Sequence, residues 1–269
     1  MDIKPLNEHQ LALAEVVEEA YAAFAGRPVP GRLLNYGGPY RDYELEAAMC
    51  QVPLRTVGAE LFFAYFMDPT PDRHSSEEFL YFLPRILDLL SQGADVHFAL
   101  ELVLSNVKRC PAGTLGKAAV DVLNRFALAF FKNLLGPNQW ARRWAFQHDD
   151  PVSVLAMAHL AGLDMRPLLA WWAQTDEPRA SRHFVEQGFF QWWGPEAAVD
   201  AFVDDDAEFL GQLQAWLSHP DTRARFQDKL KAPDFLQLAA TEPGGARLSL
   251  REMADVATAE LGAPRAWLC

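Results

Sequence analysis

The chain has 269 residues, 50% of them hydrophobic, with 24 Lys and Arg against 36 Asp and Glu, for a formal charge of -12. So large an apolar share supplies a substantial core and argues against disorder. The acidic balance repels phosphate backbones and anionic lipid, so a basic protein is the expected partner, with no nucleic acid and no membrane.

In chain order, the N-terminal "MDIKPLNEHQ" has no basic-then-apolar leader, and no run of 18 apolar residues follows anywhere. The expectation is a cytoplasmic protein whose mature chain is the whole chain. Leu13, Val16, Val17, Ala20 and Phe24 then form a first helical stripe. The stretch "GRPVPGRLLNYGGPYRD", Gly26 to Asp42, is dense in Gly and Pro and reads as an ordered surface loop. Ser75 with Glu78 has the spacing of a capping box at the start of "EEFLYFLPRILDLL", Glu77 to Leu90.

This segment carries Pro84 in its middle. A proline inside a helix removes one backbone hydrogen bond and presses on the carbonyl four residues back, at a cost of about 3 kcal/mol. Phe79, Phe82, Leu83, Ile86, Leu87 and Leu90 nevertheless stay in register across it. Burying such side chains yields roughly 1.5 to 3 kcal/mol each, which outweighs the proline. A continuous, kinked helix is predicted, and the alternative is a second helix that starts at Pro84.

The same stretch, with "AYAAFAGRPVP" from Ala20 to Pro30 and "VPLRTVGAELFFAYF" from Val52 to Phe66, resembles a group of bacterial proteins of unknown function. Such proteins combine an N-terminal helix, a short cysteine-rich loop, a Pro-Leu-Arg turn and a Phe-Leu-Pro-Arg helix. The resemblance covers the first half of the chain and implies a fold without an activity. This sequence departs from the pattern at "NYGGPY", Asn35 to Tyr40, which has no cysteine. Any metal or redox role of the clustered cysteines therefore does not carry over.

Further on, "SNVK", Ser105 to Lys108, has the spacing of a serine-lysine nucleophile pair but none of its companion motifs. "PAGTLGKA", Pro111 to Ala118, superficially matches a phosphate loop, yet Pro111 and Ala118 stand where glycine and a hydroxyl residue are required. It reads as a turn into the next helix, which carries Val122, Phe126, Ala129 and Phe130. All eight tryptophans follow Gly136 of "LLGPNQW", which places a boundary near that residue between an N-terminal lobe, 1–136, and a Trp-rich acidic lobe, 137–269.

"HDD", His148 to Asp150, admits a helical metal-dependent hydrolase with His97 as a distant partner. The competing reading is a helix end at His148, with Asp150 capping a new helix that opens on Pro151. The other histidines show no metal spacing, and Cys50, Cys110 and Cys269 are too few and too scattered for a disulfide framework or a zinc ribbon. No cofactor is expected. Ser249 with Glu252 marks a last capping box. Sustained strand-like alternation is absent, so the expectation is an all-α chain of about a dozen helices, arranged as an irregular bundle or an α-solenoid-like array.

The window His183 to Thr222 holds Glu186, Glu196, Asp200, Asp204, Asp205, Asp206, Glu208 and Asp221 but no Lys or Arg. Trp192, Trp193 and Trp216 lie within it. Carboxylates beside large aromatics suit capture of a basic protein, with charge steering the encounter and rings anchoring it. The expected contact residues are Asp200, Asp204, Asp205, Asp206, Glu208, Trp192 and Trp193, with Asp204 capping a helix from Ala207. The competing reading is a solvated acidic face over core tryptophans. The expectation is a non-catalytic immunity protein that neutralises a toxin domain by direct binding. The alternatives are the hydrolase of His97, His148 and Asp149, or a regulatory scaffold.

Overall fold

The computed structural model describes residues 6–33, 43–66, 75–136, 150–193, 199–242 and 248–263, and every regular element among them is helical. The first half holds α1 (Glu8–Ala23), α2 (Tyr43–Cys50), α3 (Ala59–Phe66), α4 (Ser76–Ser91), the short α5 (Ser105–Lys108) and α6 (Lys117–Leu135). The second holds α7 (Pro151–Leu160), α8 (Arg166–Gln174), α9 (Pro178–Gln187), α10 (Ala207–Ser218), α11 (Pro220–Lys229), α12 (Pro233–Thr241) and α13 (Leu250–Gly262). The protein is all-α, as its periodicity predicts. Residues 34–42 of the expected Gly/Pro loop lie outside the described residues.

Local chemistry starts these helices. Asn7 opens α1 through a full capping box with Gln10, and Ser249 does the same for α13 with Glu252. Ser75 Oγ accepts from Glu78 N at 3.0 Å, while the Glu78 carboxylate receives the Tyr65 hydroxyl at 2.8 Å. Asp150 accepts from Val152 N at 2.7 Å and Pro151 fills the first helical position of α7. Helix α4 runs unbroken through Pro84. Its six in-register apolar residues, Phe79 to Leu90, are fully buried, which is the compensation expected for the lost hydrogen bond. Residues of the suspected phosphate loop form a turn, with Gly113 in the left-handed region at φ +85° and Gly116 as the N-cap of α6.

The Arg of each motif behind the family resemblance is tied up in structural bonds. Arg55 of the Pro-Leu-Arg turn forks onto Glu18 at 2.7 Å for both bonds and lies over the Tyr21 ring. Arg85 donates to the Val57 carbonyl at 2.9 Å and to Asp88 at 2.6 Å. Both residues join α1, α4 and the segment before α3. Helix α1 packs between α4 and α6.

Helix α6 packs in turn against α7, α8 and α9, beyond the expected boundary at Gly136. One connected set of buried apolar side chains runs from Leu13 to Leu261. Helix α7 is buried from Pro151 to His159, apolar nearly all round, and takes the central position that such a helix requires. It rests on the 3-10 turn Leu100–Leu102 and on α9. Helix α9 ends in a π-turn, Gly188–Trp192, closed by Trp193 N donating to Gly188 O at 3.0 Å.

Candidate functional site

The acidic loop 199–206 is built mainly by its own carboxylates. Asp204 Oδ1 accepts from Val199 N at 2.9 Å and Asp200 N at 3.0 Å, and Asp200 Oδ1 accepts from Phe202 N at 2.9 Å. Asp206, rather than Asp204, caps α10: Oδ1 takes Glu208 N and Phe209 N at 3.0 Å each, and Oδ2 lies 2.8 Å from His159 Nε2. The bond from Phe209 N and the contact with His159 hold the Asp206 carboxyl below its usual range. The helix therefore begins where the sequence predicts, but the capping carboxylate is the nearest one, whose side chain alone reaches the first free amides. Asp205 and Glu208 remain exposed, with Glu208 3.3 Å from Gln212 Nε2. Glu196 lies outside the described residues.

The tryptophans expected to anchor a partner point inward. Trp192 is only 1% exposed, edge-on to Trp172 and Phe184 at 6.1 and 5.6 Å, so no partner can reach it. Trp193 is half-buried against the core, and its ring lies across the backbone of Gly188. A Cβ at Gly188 would stand 2.1 Å from that ring, which is why the position takes glycine despite an ordinary helical φ. Among the described residues of the window, the exposed aromatics are instead Phe190, at 53%, and Phe202, at 41%.

Beneath this loop the fold gathers acids from three separate segments. Glu101, in the 3-10 turn Leu100–Leu102, is 8% exposed, and Ser153 and Asp200 are the polar side chains that act on its carboxyl. Burial pushes it up to about 7, and the charge of Asp200 adds to the rise. Asp150 stands one helical turn before Ser153 on the same face of α7. Burial raises its carboxyl too, against hydrogen bonds from Val152, Gln187 and Gln191, and the Asp200 charge adds here as well. Gln191 Nε2 donates to Asp150 Oδ2 at 3.0 Å.

Gln187 also acts on the Asp150 carboxyl and is 8% exposed. Both glutamines reach one carboxylate because α9 gives way to the π-turn between them, an irregularity that often accompanies functional sites. Gln191 spends its amide nitrogen on Asp150, which leaves its carbonyl oxygen to find another partner. Gln187 Oε1 and Gln191 Oε1 are buried with no hydrogen-bond partner among the described residues. A buried acceptor left unpaired costs about 1 to 3 kcal/mol, so a donor is called for.

Two other places carry chemistry-bearing side chains. His97 is buried, with its Nδ1 accepting from Ala99 N at 2.9 Å and its ring stacked on Phe98. Burial lowers it to about 4, so it stays neutral. His148 and Asp149, its expected partners, lie outside the described residues. Among the described residues, no three His, Cys, Asp or Glu side chains come together as a metal site would require. A cleft of about 330 Å³ is lined by Asp176, Ser181, Arg225, Asp228, Lys229 and Asp234. Lys229, lowered to about 8 by burial, donates to the Trp172 carbonyl at 2.9 Å and so closes the last turn of α8. Ser105 likewise spends its hydroxyl locally, on the Leu102 carbonyl at 2.8 Å.

Sequence reasoning missed Glu101, Ser153, Gln187, Gln191, Phe190 and Phe202. A signal for Glu101 was present, since it is the one charged residue in the apolar run "FALELVL", Phe98 to Leu104. No protein-family model, curated protein or solved structure matches the chain.

Proposed function

We propose that this protein is a non-catalytic binder of a basic protein domain, and that it acts as an immunity protein neutralising a toxin. The observation that carries this reading is the pair of exposed rings, Phe190 and Phe202, beside acidic residues in a window with no Lys or Arg. Aromatic anchors supply the desolvated contact of an interface, and the surrounding carboxylates steer a basic partner and reject acidic ones. Asp205 and Glu208 are the charges free to do this, because Asp204 and Asp206 are engaged by backbone amides. The metal-dependent hydrolase draws no support from His97, whose ring is buried and whose Nδ1 is engaged.

The test begins with crosslinking and mass spectrometry in the source organism to identify the bound protein. Binding of that purified partner to the chain and to its Phe190→Ala/Phe202→Ala double variant is then measured. The expected result is a loss of 100-fold or more in affinity, together with loss of protection when partner and variant are co-expressed. A partner held with unchanged affinity by the folded double variant would remove this face from consideration. Tight binding without any inhibition of the partner would favour a scaffold over an immunity protein.

A further inference from the structure

We propose that the cleft between the start of α9, the end of α11 and the start of α12 binds a small aliphatic amino acid, its carboxylate turned inward to Lys229 and Ser181 and its ammonium among the carboxylates of the rim. The inference goes beyond the binding of a protein partner and shares no residue with the Phe190 and Phe202 face. Two kinds of group line the cleft. Lys229 and Ser181, at 9% and 2% exposure, form its floor together with the buried Phe235 ring. Asp176, Arg225, Asp228 and Asp234 are exposed and form its rim. Its volume of about 330 Å³ lies at the lower end of the range that small-molecule sites occupy.

The floor calls for an anion. The Lys229 ammonium gives one proton to the Trp172 carbonyl at 2.9 Å and lies 4.7 Å from the centre of the Phe226 ring, yet no carboxylate pairs with it among the described residues. A buried cation without a counter-ion is costly, and burial accordingly lowers Lys229 to about 8. Ser181 is an independent sign of a ligand: its side chain is buried, lines the cleft and has no hydrogen-bond partner among the described residues. Helix α12 adds to the same field. It starts after Ala232, which has no side chain to cap it, and Ala232, Asp234 and Phe235 line the cleft, so the positive end of its dipole lies there.

The rim has the opposite sign. Asp176, Asp228 and Asp234 outnumber Arg225, and among the described residues none of the four spends its side chain on a hydrogen bond or an ion pair. Three carboxylates disfavour a phosphate or a dicarboxylate, and the Lys229 charge keeps a simple amine from the floor. A molecule with a carboxylate at one end and an ammonium at the other matches both fields. Pro178, Ala232 and Phe235 supply apolar surface for an aliphatic side chain.

The experiment titrates the full chain calorimetrically at pH 7 with L-leucine, with 3-methylbutylamine, which lacks leucine's carboxylate, and with 4-methylpentanoate, which lacks its ammonium. Saturable binding of leucine is expected, at least about tenfold weaker for either truncated molecule, since each loses a charged partner. Lys229→Met and Ser181→Ala should each weaken leucine binding, the first by about tenfold or more, and Asp205→Asn/Glu208→Gln should leave it unchanged. Melting curves establish that each variant is folded. Should Lys229→Met fail to fold for want of its bond to Trp172, Ser181→Ala and the two truncated molecules decide the matter.

No saturable binding of leucine would overturn the proposal, as would binding unchanged in the folded variants of the floor. Equal affinity for 4-methylpentanoate would reduce the cleft to a carboxylate site, and equal affinity for 3-methylbutylamine to a cation site, and either result refutes the zwitterion. Because the probe is not the protein partner, the outcome is independent of the Phe190/Phe202 test.

Discussion

Glu101 is the residue whose replacement most directly tests the physics of the cluster. Its carboxyl rises from an ordinary 4.5 to about 7 in the folded protein, chiefly through burial. The folded state therefore holds the proton more tightly than the unfolded chain does. At pH 4 both states are protonated and the shift has no effect. Stability then falls as pH rises from 4.5, and it levels off above 7, when both states have lost the proton. At 1.36 kcal/mol per unit, the whole effect amounts to about 3 kcal/mol as an upper bound.

Glu101→Gln keeps the shape and stays neutral. It should match the parent at pH 4 and exceed it by up to about 3 kcal/mol at pH 8, a rise in Tm of several degrees for a chain of this size. Urea unfolding at pH 4, 6 and 8, followed by tryptophan fluorescence, measures the difference. A Glu101→Gln difference that does not change with pH, or a loss of more than about 1 kcal/mol at pH 8, would refute the description of Glu101 as a buried, proton-holding acid.

Three further outcomes follow from the same geometry. Gly188→Ala places a methyl 2.1 Å from the Trp193 ring and should cost about 1 to 3 kcal/mol in chemical unfolding, with a changed near-ultraviolet tryptophan signal; wild-type stability would contradict the ring placement. Trp192→Ala empties a core site and should cost about 3 to 5 kcal/mol, whereas Phe190→Ala and Phe202→Ala should each shift the melt by no more than about 0.5 kcal/mol, so the reverse order in thermal unfolding would exchange their roles. Asp206→Ala removes the α10 cap at a cost of about 1 kcal/mol near neutral pH. Because the Asp206 carboxyl is held below 3.8, that difference should fade as pH drops beneath this value, and a deficit that persists in strong acid would show that packing, not the ionised cap, is lost.

Much of the helical frame is legible in the sequence because it is local. Ser249 and Glu252 form their box, Asp150 and Pro151 start α7, and the apolar register across Pro84 carries α4 through the proline. Each of these depends on residues within a few positions of one another, where backbone geometry alone brings donor to acceptor. The direction of the tryptophans is different. Trp192 and Phe190 are equally apolar in sequence, and what buries one while exposing the other is a π-turn over a glycine together with its packing against α9 and α13 and the Trp172 ring of α8.

The acid cluster is further still from local reading. Glu101, Asp150, Ser153, Gln187, Gln191 and Asp200 come from the 3-10 turn, the start of α7, the end of α9 and the loop before α10, and no spacing relates them. The sequence by itself determined the acidity of the window, its lack of cations and the helices that flank it. Which carboxylates would be spent on backbone amides, and which would be pressed together out of water, only the tertiary structure decided. A carboxyl's charge state and reach depend on desolvation and on neighbours a few ångströms away in space, not on its place along the chain.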